Sequence, residues 1–204
     1  KAVSRWENGL GYPEVTQFPA LAKIFGVIWM TFPLFVWLLS RERKNASQME
    51  SDDREKLLGY MADAWAYFRD HVNEKTRFLP PDNVQFSPTY AIAMRTSPTN
   101  VGMYLLSLLA ARDFDLIGKD ELLHRAQAAA ETLESLRKWN GHLYNWYDLQ
   151  TLSVLDGGFV STVDSGNFVA SLIAFCEGAK EYAGESPALL QVIASFSRII
   201  SETE

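Results

Sequence analysis

The sequence predicts an all-α protein of side-by-side helical hairpins, preceded by one transmembrane helix. After residue 52, apolar residues recur every three to four positions in five separate segments, which is the spacing of one helix face. Ahead of them, residues 20–40 are nearly all apolar. Two links between the helical segments, 73–96 and 139–163, are long and rich in aromatic, carboxylate and amide side chains. This alternation indicates a helical scaffold with functional loops gathered at one end.

Composition excludes several classes of function. The net charge of −6 argues against a nucleic-acid partner, because phosphate binding needs a basic surface. Cys176 is the only cysteine, so we expect no disulfide within the chain and no thiolate metal cluster. Its apolar helical surroundings favour a small buried side chain. The three histidines form no HxH or HxxxH pair, and we predict neither a metal site nor a cofactor.

The segment 20–40 is predicted to span a membrane. A spanning helix needs about 17–25 apolar residues, and Lys23 is the only charge here. Trp29 and Trp37 suit the interfaces, and Pro33 is tolerated in such helices. A buried core helix and a membrane-surface hairpin are the alternatives. The basic run 41–44 (RERK) follows at once, which places the downstream chain in the cytoplasm by the positive-inside tendency.

The remaining boundaries follow from turn and cap signals. Residues 1–19 carry two glycines and two prolines and are expected to be irregular, and the polar residues 41–52 are expected to form a linker. The helical part, 53–204, is predicted to begin its helices at Asp52 or Asp53, Ser97-Pro98, Asp120, Asp164 or Ser165, and Ser186-Pro187. The first helix is expected to bury Leu57, Met61, Trp65, Phe68 and Val72. Within the second long link, residues 143–147 and 152–155 can pair as a short hairpin. Five helices cannot close a toroid of six hairpins, so in that architecture the chain stops partway round.

The candidate binding residues lie in the two long links. Aromatic faces and short amides or carboxylates are typical of sugar sites. Arg95 can form a bidentate pair with the carboxylate of Asp82 or Asp164, or donate to a sugar hydroxyl. The alternative is that these residues only cap a helix and form a structural ion pair. His142 is interpreted as an oriented loop residue. The full set of candidates is Asp82, Asn83, Arg95, Asn100, His142, Asn145, Trp146, Tyr147, Asp148, Asp164 and Asn167.

Asp148 and Asp164 are the only candidates that we consider for acid and base. Glycoside cleavage needs two carboxyl groups that face each other across the bond. The alternative, which we favour, is that Asp148 terminates a turn and Asp164 caps a helix.

Several motifs together resemble one known family. The chain is similar, over roughly residues 20–185, to the glucoamylase-like central region of cyclic β-1,2-glucan synthases. The matching motifs, with the basic end of the hydrophobic run, are LPPDNVQ (79–85), RTSPTNVG (95–102), LLS (105–107), AARDF (110–114), GHLYNWYD (141–148) and VSTVDSGN (160–167). Small departures are Asp115, where the family often has Gly, and Phe168-Val169, where Leu-Ala is more usual.

The resemblance implies a partial (α/α)6 toroid on the cytoplasmic side of the inner membrane. It implies action on linear β-1,2-glucan by retaining transglycosylation, which closes a cyclic glucan. The family's paired catalytic carboxylates would then lie beyond Glu204, so that this fragment, inactive alone, supplies cleft residues. A β-1,2-glucan hydrolase of related fold and a membrane-tethered glycan-binding scaffold without turnover are the alternatives.

Overall fold

The computed structural model describes residues 18–40, 51–184 and 186–203, with side chains from residue 22 onward. The expectations for residues 1–17 and for most of the 41–52 linker lie outside these ranges. Six α-helices occur in the described ranges: α1 (Phe18–Leu39), α2 (Ser51–His71), α3 (Pro98–Asp113), α4 (Lys119–Ser135), α5 (Thr162–Ala183) and α6 (Pro187–Glu202).

The chain divides into two compact units after Met49. The first unit contains α1, which includes Pro33. Its residues Ala22–Leu39 are long and apolar enough, by length and composition, to cross a membrane, and none of that stretch is buried. The hydroxyl of Thr31 donates to the Val27 carbonyl at 2.7 Å, which satisfies this polar group within the helix.

In the second unit, α3 and α5 lie side by side and parallel and form the most extensive helix contact. The other helices surround this pair: α2 packs on α3, α6 on α5, and α4 on both α6 and α3. Half of the largest fully buried side chains among the described residues come from these two helices: Tyr104, Leu105, Leu108, Phe168, Leu172 and Phe175.

Two glycines allow α3 and α5 to approach closely. A Cβ on Gly102 would lie 2.7 Å from Ser171 Oγ, and a Cβ on Gly178 would overlap the side chain of Leu109. α3 and α5 also share a pattern: each has a serine N-cap, and each carries a glycine five residues later, Gly102 in α3 and Gly166 in α5. Gly166 has no atom within 4 Å of its would-be Cβ among the described residues.

Two of the five predicted helix starts, Ser97-Pro98 and Ser186-Pro187, agree with the structure, and four details are corrected. α2 already begins at Ser51, so Asp52 and Asp53 lie in its first turn and do not cap it. Ser97 caps α3 as predicted, accepting from Asn100 N at 3.2 Å. The cap of α5 is Ser161, which accepts from Asp164 N at 3.2 Å, so neither Asp164 nor Ser165 caps that helix. α4 follows Gly118 without a side-chain cap, so Asp120 already lies inside its first turn. Leu57 is 48% exposed, because α2 contacts the core only through its C-terminal half.

The long links form short antiparallel ladders: β1 (Val84–Gln85) with β2 (Ala91–Ile92), β3 (Arg95–Thr96) with β6 (Tyr147–Asp148), and β4 (Lys138–Trp139) with β5 (His142–Leu143). The expected 143–147/152–155 hairpin is partly right. Tyr147 bridges Val154 and Leu155 N donates to Trp146 O at 2.9 Å, but Leu143 pairs with Lys138.

Candidate functional site

The two long links meet at the N-termini of α3 and α5. β3 pairs with β6 in the register Arg95↔Asp148 and Thr96↔Tyr147. Leu149 N extends this contact by donating to Met94 O at 3.0 Å. Residues that are about fifty positions apart in sequence are therefore joined by backbone hydrogen bonds, which fix the side chains of one loop against those of the other.

Arg95 is held between a carboxylate and an indole. Its Nε and Nη2 donate to Asp82 Oδ2 at 3.2 and 3.0 Å. Its Cζ lies 4.2 Å from the ring centroid of Trp146, which is a cation–π contact. The side chain of Arg95 is 45% exposed and that of Asp82 only 18%. The guanidinium is thus oriented on two sides and still reaches the surface.

Two amides complete the surroundings of Asp82. Asn100 Nδ2, in the first turn of α3, donates to Oδ1 at 3.3 Å, and Asn83 Nδ2 donates to Oδ2 at 3.1 Å. Ser97 and Pro98 fix this turn, because a serine cap and a proline at the first helical position both favour the helix start. Asp82 therefore accepts hydrogen bonds from three side chains, and its carboxylate orients all three of them.

Asn145 links Trp146 to Asp164. In the amide orientation that satisfies both neighbours, its nitrogen donates to Asp164 Oδ2 at 3.0 Å and its oxygen accepts from Trp146 Nε1 at 2.9 Å. Asp164 Oδ1 accepts from Thr99 Oγ1 at 2.6 Å. Asn167 Nδ2 lies 3.5 Å from the same hydroxyl. Contacts therefore run from Asp82 through Arg95, Trp146 and Asn145 to Asp164. We call Asp82, Arg95, Asn100, Asn145, Trp146, Thr99 and Asp164 the polar cluster.

The position of Asp164 suits its charge. It lies in the first turn of α5, where the free backbone N–H groups and the helix dipole favour an anion. Its side chain is directed to Thr99 and Asn145, so it ties the two inner helices together rather than capping its own. Thr99 belongs to this cluster and was not among our sequence candidates. The sequence signal that could have identified Thr99 is its hydroxyl in the N-terminal turn of the helix that begins at Ser97-Pro98.

Tyr147 lies in the core and not at the surface. Its side chain is 1% exposed, its hydroxyl accepts from Tyr144 N at 2.8 Å, and it donates to Arg137 O at 2.6 Å. Burial raises the pKa of Tyr147 to about 12. The tyrosine thus braces the loop from within, and we do not retain it as a ligand contact.

Asp148 organises a turn. Its Oδ1 accepts from Gln150 N at 2.9 Å, Thr151 N at 2.7 Å and Thr151 Oγ1 at 2.9 Å. These hydrogen bonds, first of all the one from the Thr151 backbone, lower the pKa of Asp148. A carboxylate engaged in this way suits a turn rather than a general acid. The geometry thus favours the structural alternative that the sequence left open.

His142 lines another groove. It lies in β5 opposite Trp139, with the two ring centroids 6.4 Å apart. Together with Ser165, Gly166 and others, these residues enclose about 370 Å³ beside α5. Within the described residues, no three His, Cys, Asp or Glu side chains are grouped in a way that could hold a metal ion.

Comparison with known proteins gives one family model and several relatives. The model described as "Protein of unknown function (DUF3131)" matches residues 60–200. The cyclic β-(1,2)-glucan synthase NdvB of Rhizobium meliloti (strain 1021) is 37% identical over 174 residues, covering 84% of this chain and 6% of that protein.

Solved structures show the same fold. The endo-β-1,2-glucanase of Chitinophaga pinensis, in complex with sophorotriose and glucose, has a TM-score of 0.64 at 15% identity, covering 76% of this chain and 37% of that one. A candidate glucoamylase of Bacteroides fragilis NCTC 9343 has a TM-score of 0.61 at 15% identity, covering 78% and 37%. These likenesses confirm the predicted all-α fold as part of a glucoamylase-like toroid. The chain spans 6% of the length of the curated relative.

Proposed function

The chain belongs to the family described as protein of unknown function DUF3131, and on that premise we propose that it forms part of the glycan cleft of an enzyme acting on β-1,2-glucan. The reaction is transglycosylation: a β-1,2 bond within the linear glucan is cleaved, the reducing-end fragment leaves, and the new glycosyl end is transferred to the 2-hydroxyl at the non-reducing end of the same chain, which closes the ring. The relative named as a cyclic β-(1,2)-glucan synthase supports this substrate, since it is 37% identical over 84% of the chain.

The observation that carries the proposal is the orientation of Arg95 by Asp82 and Trp146. A guanidinium has five N–H donors in a rigid fork, and Asp82 occupies two of them. The remaining donors of the half-exposed group are available to sugar hydroxyls. The indole next to it offers an apolar surface suited to the C–H face of a glucose unit. A charged donor and an aromatic ring, both fixed in advance, lose little entropy when a sugar binds.

In this proposal residues of the polar cluster, together with the neighbouring Asn83, bind glucose units or position the side chains that do. Arg95, Asn83 and Trp146 contact glucose units, while Asp82, Asn100, Asn145 and Asp164 hold them in place. Asn167 extends the surface along α5. The two carboxylates that carry out the covalent chemistry lie outside residues 1–204. The residues of the polar cluster then select and orient the glucan chain. This lowers the activation barrier, because the reacting groups are held in the geometry of the reaction.

The same proposal assigns α1 to the inner membrane. The length and composition of Ala22–Leu39 support a spanning helix, and the basic run at 41–44 supports a cytoplasmic location for the downstream unit. Linear glucan made on that side would then reach the cleft without crossing the bilayer.

The test uses the protein at its full natural length. It is incubated with linear β-1,2-glucan, and the products are weighed by mass spectrometry. Products lighter by one water than the matching linear glucans support ring closure. Shorter linear chains with new reducing ends would mean that the protein hydrolyses the glucan and does not cyclise it, which is the activity named for the Chitinophaga pinensis structure. Binding of the glucan without any turnover would mean that the protein is a glycan-binding scaffold and not an enzyme.

A further inference from the structure

The β1–β2 hairpin extends directly from the polar cluster. Asp82 precedes it and Arg95 follows it, and these two residues are bonded to each other. Asp82 N donates to Ala93 O at 3.2 Å, and Ala93 N donates to Asn83 O at 3.0 Å, which closes its base. The position of the hairpin is therefore tied to the same ion pair that orients Arg95.

The far end of this hairpin carries two exposed aromatic rings. Every residue from 85 to 91 is exposed. Phe86 is 79% and Tyr90 61% exposed, and their ring centroids lie 5.9 Å apart in an edge-to-face pair. We call residues 86–90 the aromatic tip. The side chain of Gln85 donates to Thr89 O at 3.3 Å across the tip, which holds its two sides together. Large aromatic rings grouped in water are a typical feature of a binding surface.

The chemistry of the hairpin limits what it can bind. Residues 83–94 contain no charged side chain. Recognition of phosphate or of a charged peptide relies on opposite charges, which this stretch lacks. A neutral ligand with both C–H faces and hydroxyls fits it, because aromatic rings stack on the former and the Tyr90 hydroxyl and Gln85 amide can bond the latter.

We propose that the aromatic tip binds the outlying part of a linear β-1,2-glucan whose other part lies at the polar cluster, so that the hairpin favours long chains over short ones. This inference rests on the proposed function. It adds a length-selecting contact that acts through Phe86 and Tyr90. The tip lies beyond the two-residue strands β1 and β2, so the glucose units bound at the cluster do not themselves contact it, and only units that extend past the cluster do.

The test measures affinity on the full chain in detergent micelles, with sophorotriose and with long linear β-1,2-glucan. The double variant F86A/Y90A is expected to bind the long glucan roughly tenfold more weakly, as loss of aromatic stacking predicts, and to bind sophorotriose like the parent. Phe86→Trp keeps a ring and is expected to retain the affinity. Phe114→Ala is the matched control, since Phe114 is 46% exposed and lies at the opposite end of α3.

A fluorescent label distinguishes glucan from membrane. Cys176 is the only cysteine of residues 1–204 and is buried. In a protein whose cysteines outside these residues have been replaced, Ser87→Cys places a polarity-sensitive fluorophore at the tip. Long glucan is expected to change its emission and sophorotriose to leave it unchanged. An emission change on reconstitution into vesicles without any response to glucan would overturn the proposal in favour of a membrane contact.

The two hypotheses fail in different ways. Unchanged affinity of F86A/Y90A for long glucan, with the parent binding both ligands, overturns the role of the tip and leaves the proposed function standing. A parent protein that binds neither glucan overturns both.

Discussion

Thr99 in the first turn of α3 donates a hydrogen bond of 2.6 Å to Asp164 in the first turn of α5. The two residues are 65 positions apart. The bond joins the N-termini of the two inner helices at the point where both long loops arrive. The other oxygen of Asp164 orients Asn145 and, through it, the indole of Trp146. One carboxylate thus serves both the packing of the scaffold and the geometry of the surface.

The two roles of Asp164 can be separated by two variants. Thr99→Val removes the bond to Thr99 but keeps the contact with Asn145. We expect it to lower the free energy of unfolding by about 1–2 kcal/mol and to leave glycan affinity unchanged. Asp164→Asn keeps an acceptor for Thr99 but places an amide nitrogen against Asn145, so the Trp146 indole loses its partner and glycan affinity falls. Chemical denaturation and calorimetric titration measure the two effects. If both variants changed stability alone, the cluster would be purely structural.

Trp146 is expected to contribute to binding as well as to stability. Trp146→Ala removes the ring under Arg95 and the hydrogen bond to Asn145. It should weaken glycan binding about tenfold and lower the free energy of unfolding by about 1–2 kcal/mol. Trp146→Phe keeps a ring but loses Nε1 and should give an intermediate affinity. The control is Phe159→Ala, in the same loop and 61% exposed, which should bind like the parent. Equal losses for Trp146→Ala and Phe159→Ala would contradict a specific role for the indole.

Asp148 is expected to act on stability in a pH-dependent way. Its pKa is lowered in the folded state by hydrogen bonds from Thr151 and Gln150. The carboxylate therefore stabilises the fold above the ordinary pKa of about 3.9, and this contribution is lost as the pH falls through the lower folded pKa. The difference in unfolding free energy between the parent and Asp148→Asn should be present at pH 7, begin to decline near pH 4, and disappear only once the pH is below the lowered folded pKa.

The same variant tests the assignment of Asp148 to the turn. Denaturation at several pH values measures its stability, and turnover of β-1,2-glucan by the full-length protein measures its activity. Asp148→Asn should retain turnover, because the turn does not supply a proton. A loss of turnover with unchanged stability would return Asp148 to the acid–base candidates.

Local signals in the sequence predict much of this fold. The α3 start at Ser97-Pro98 and the α6 start at Pro187 follow from side chains within a few positions of each boundary. The α5 cap was misplaced, because Ser161, Asp164 and Ser165 are all good capping residues and only the backbone geometry selects Ser161. Local chemistry thus defines the helix but not its first residue.

The candidate site is harder to predict from the sequence, because the residues that contact one another in it are far apart along the chain. Arg95 could reach either Asp82 or Asp164 by residue type. The β3–β6 ladder and Trp146 decide for Asp82. The burial of Tyr147 is equally hard to predict, since a tyrosine suits both a sugar-binding surface and a buried position with a hydrogen-bonded hydroxyl. Its carbonyl partner on Arg137 is ten positions away across a turn. Residue types therefore predicted the kind of surface, and long-range pairing decides which side chains form it.

The close packing of α3 on α5 gives the last prediction, for which the chain contains its own control. A Cβ on Gly102 would lie 2.7 Å from Ser171 Oγ and 2.9 Å from Ser171 Cβ, both too close. Gly102→Ala should therefore lower the free energy of unfolding by about 1–3 kcal/mol through overpacking, despite the better helix propensity of alanine.

Gly166 occupies the equivalent position in α5 and has open space around it. Gly166→Ala should therefore be neutral or stabilise by up to about 1 kcal/mol, as an exposed helical Gly→Ala change does. Adding Ser171→Gly to Gly102→Ala removes the clashing atoms and should recover part of the loss, which a double-mutant cycle by chemical denaturation measures. Equal effects of Gly102→Ala and Gly166→Ala, or no recovery by Ser171→Gly, would mean that the glycine does not set the distance between the two helices. The expected result would instead mean that the missing side chain at residue 102 lets α3 and α5 approach closely, at the end of the pair where Thr99 meets Asp164.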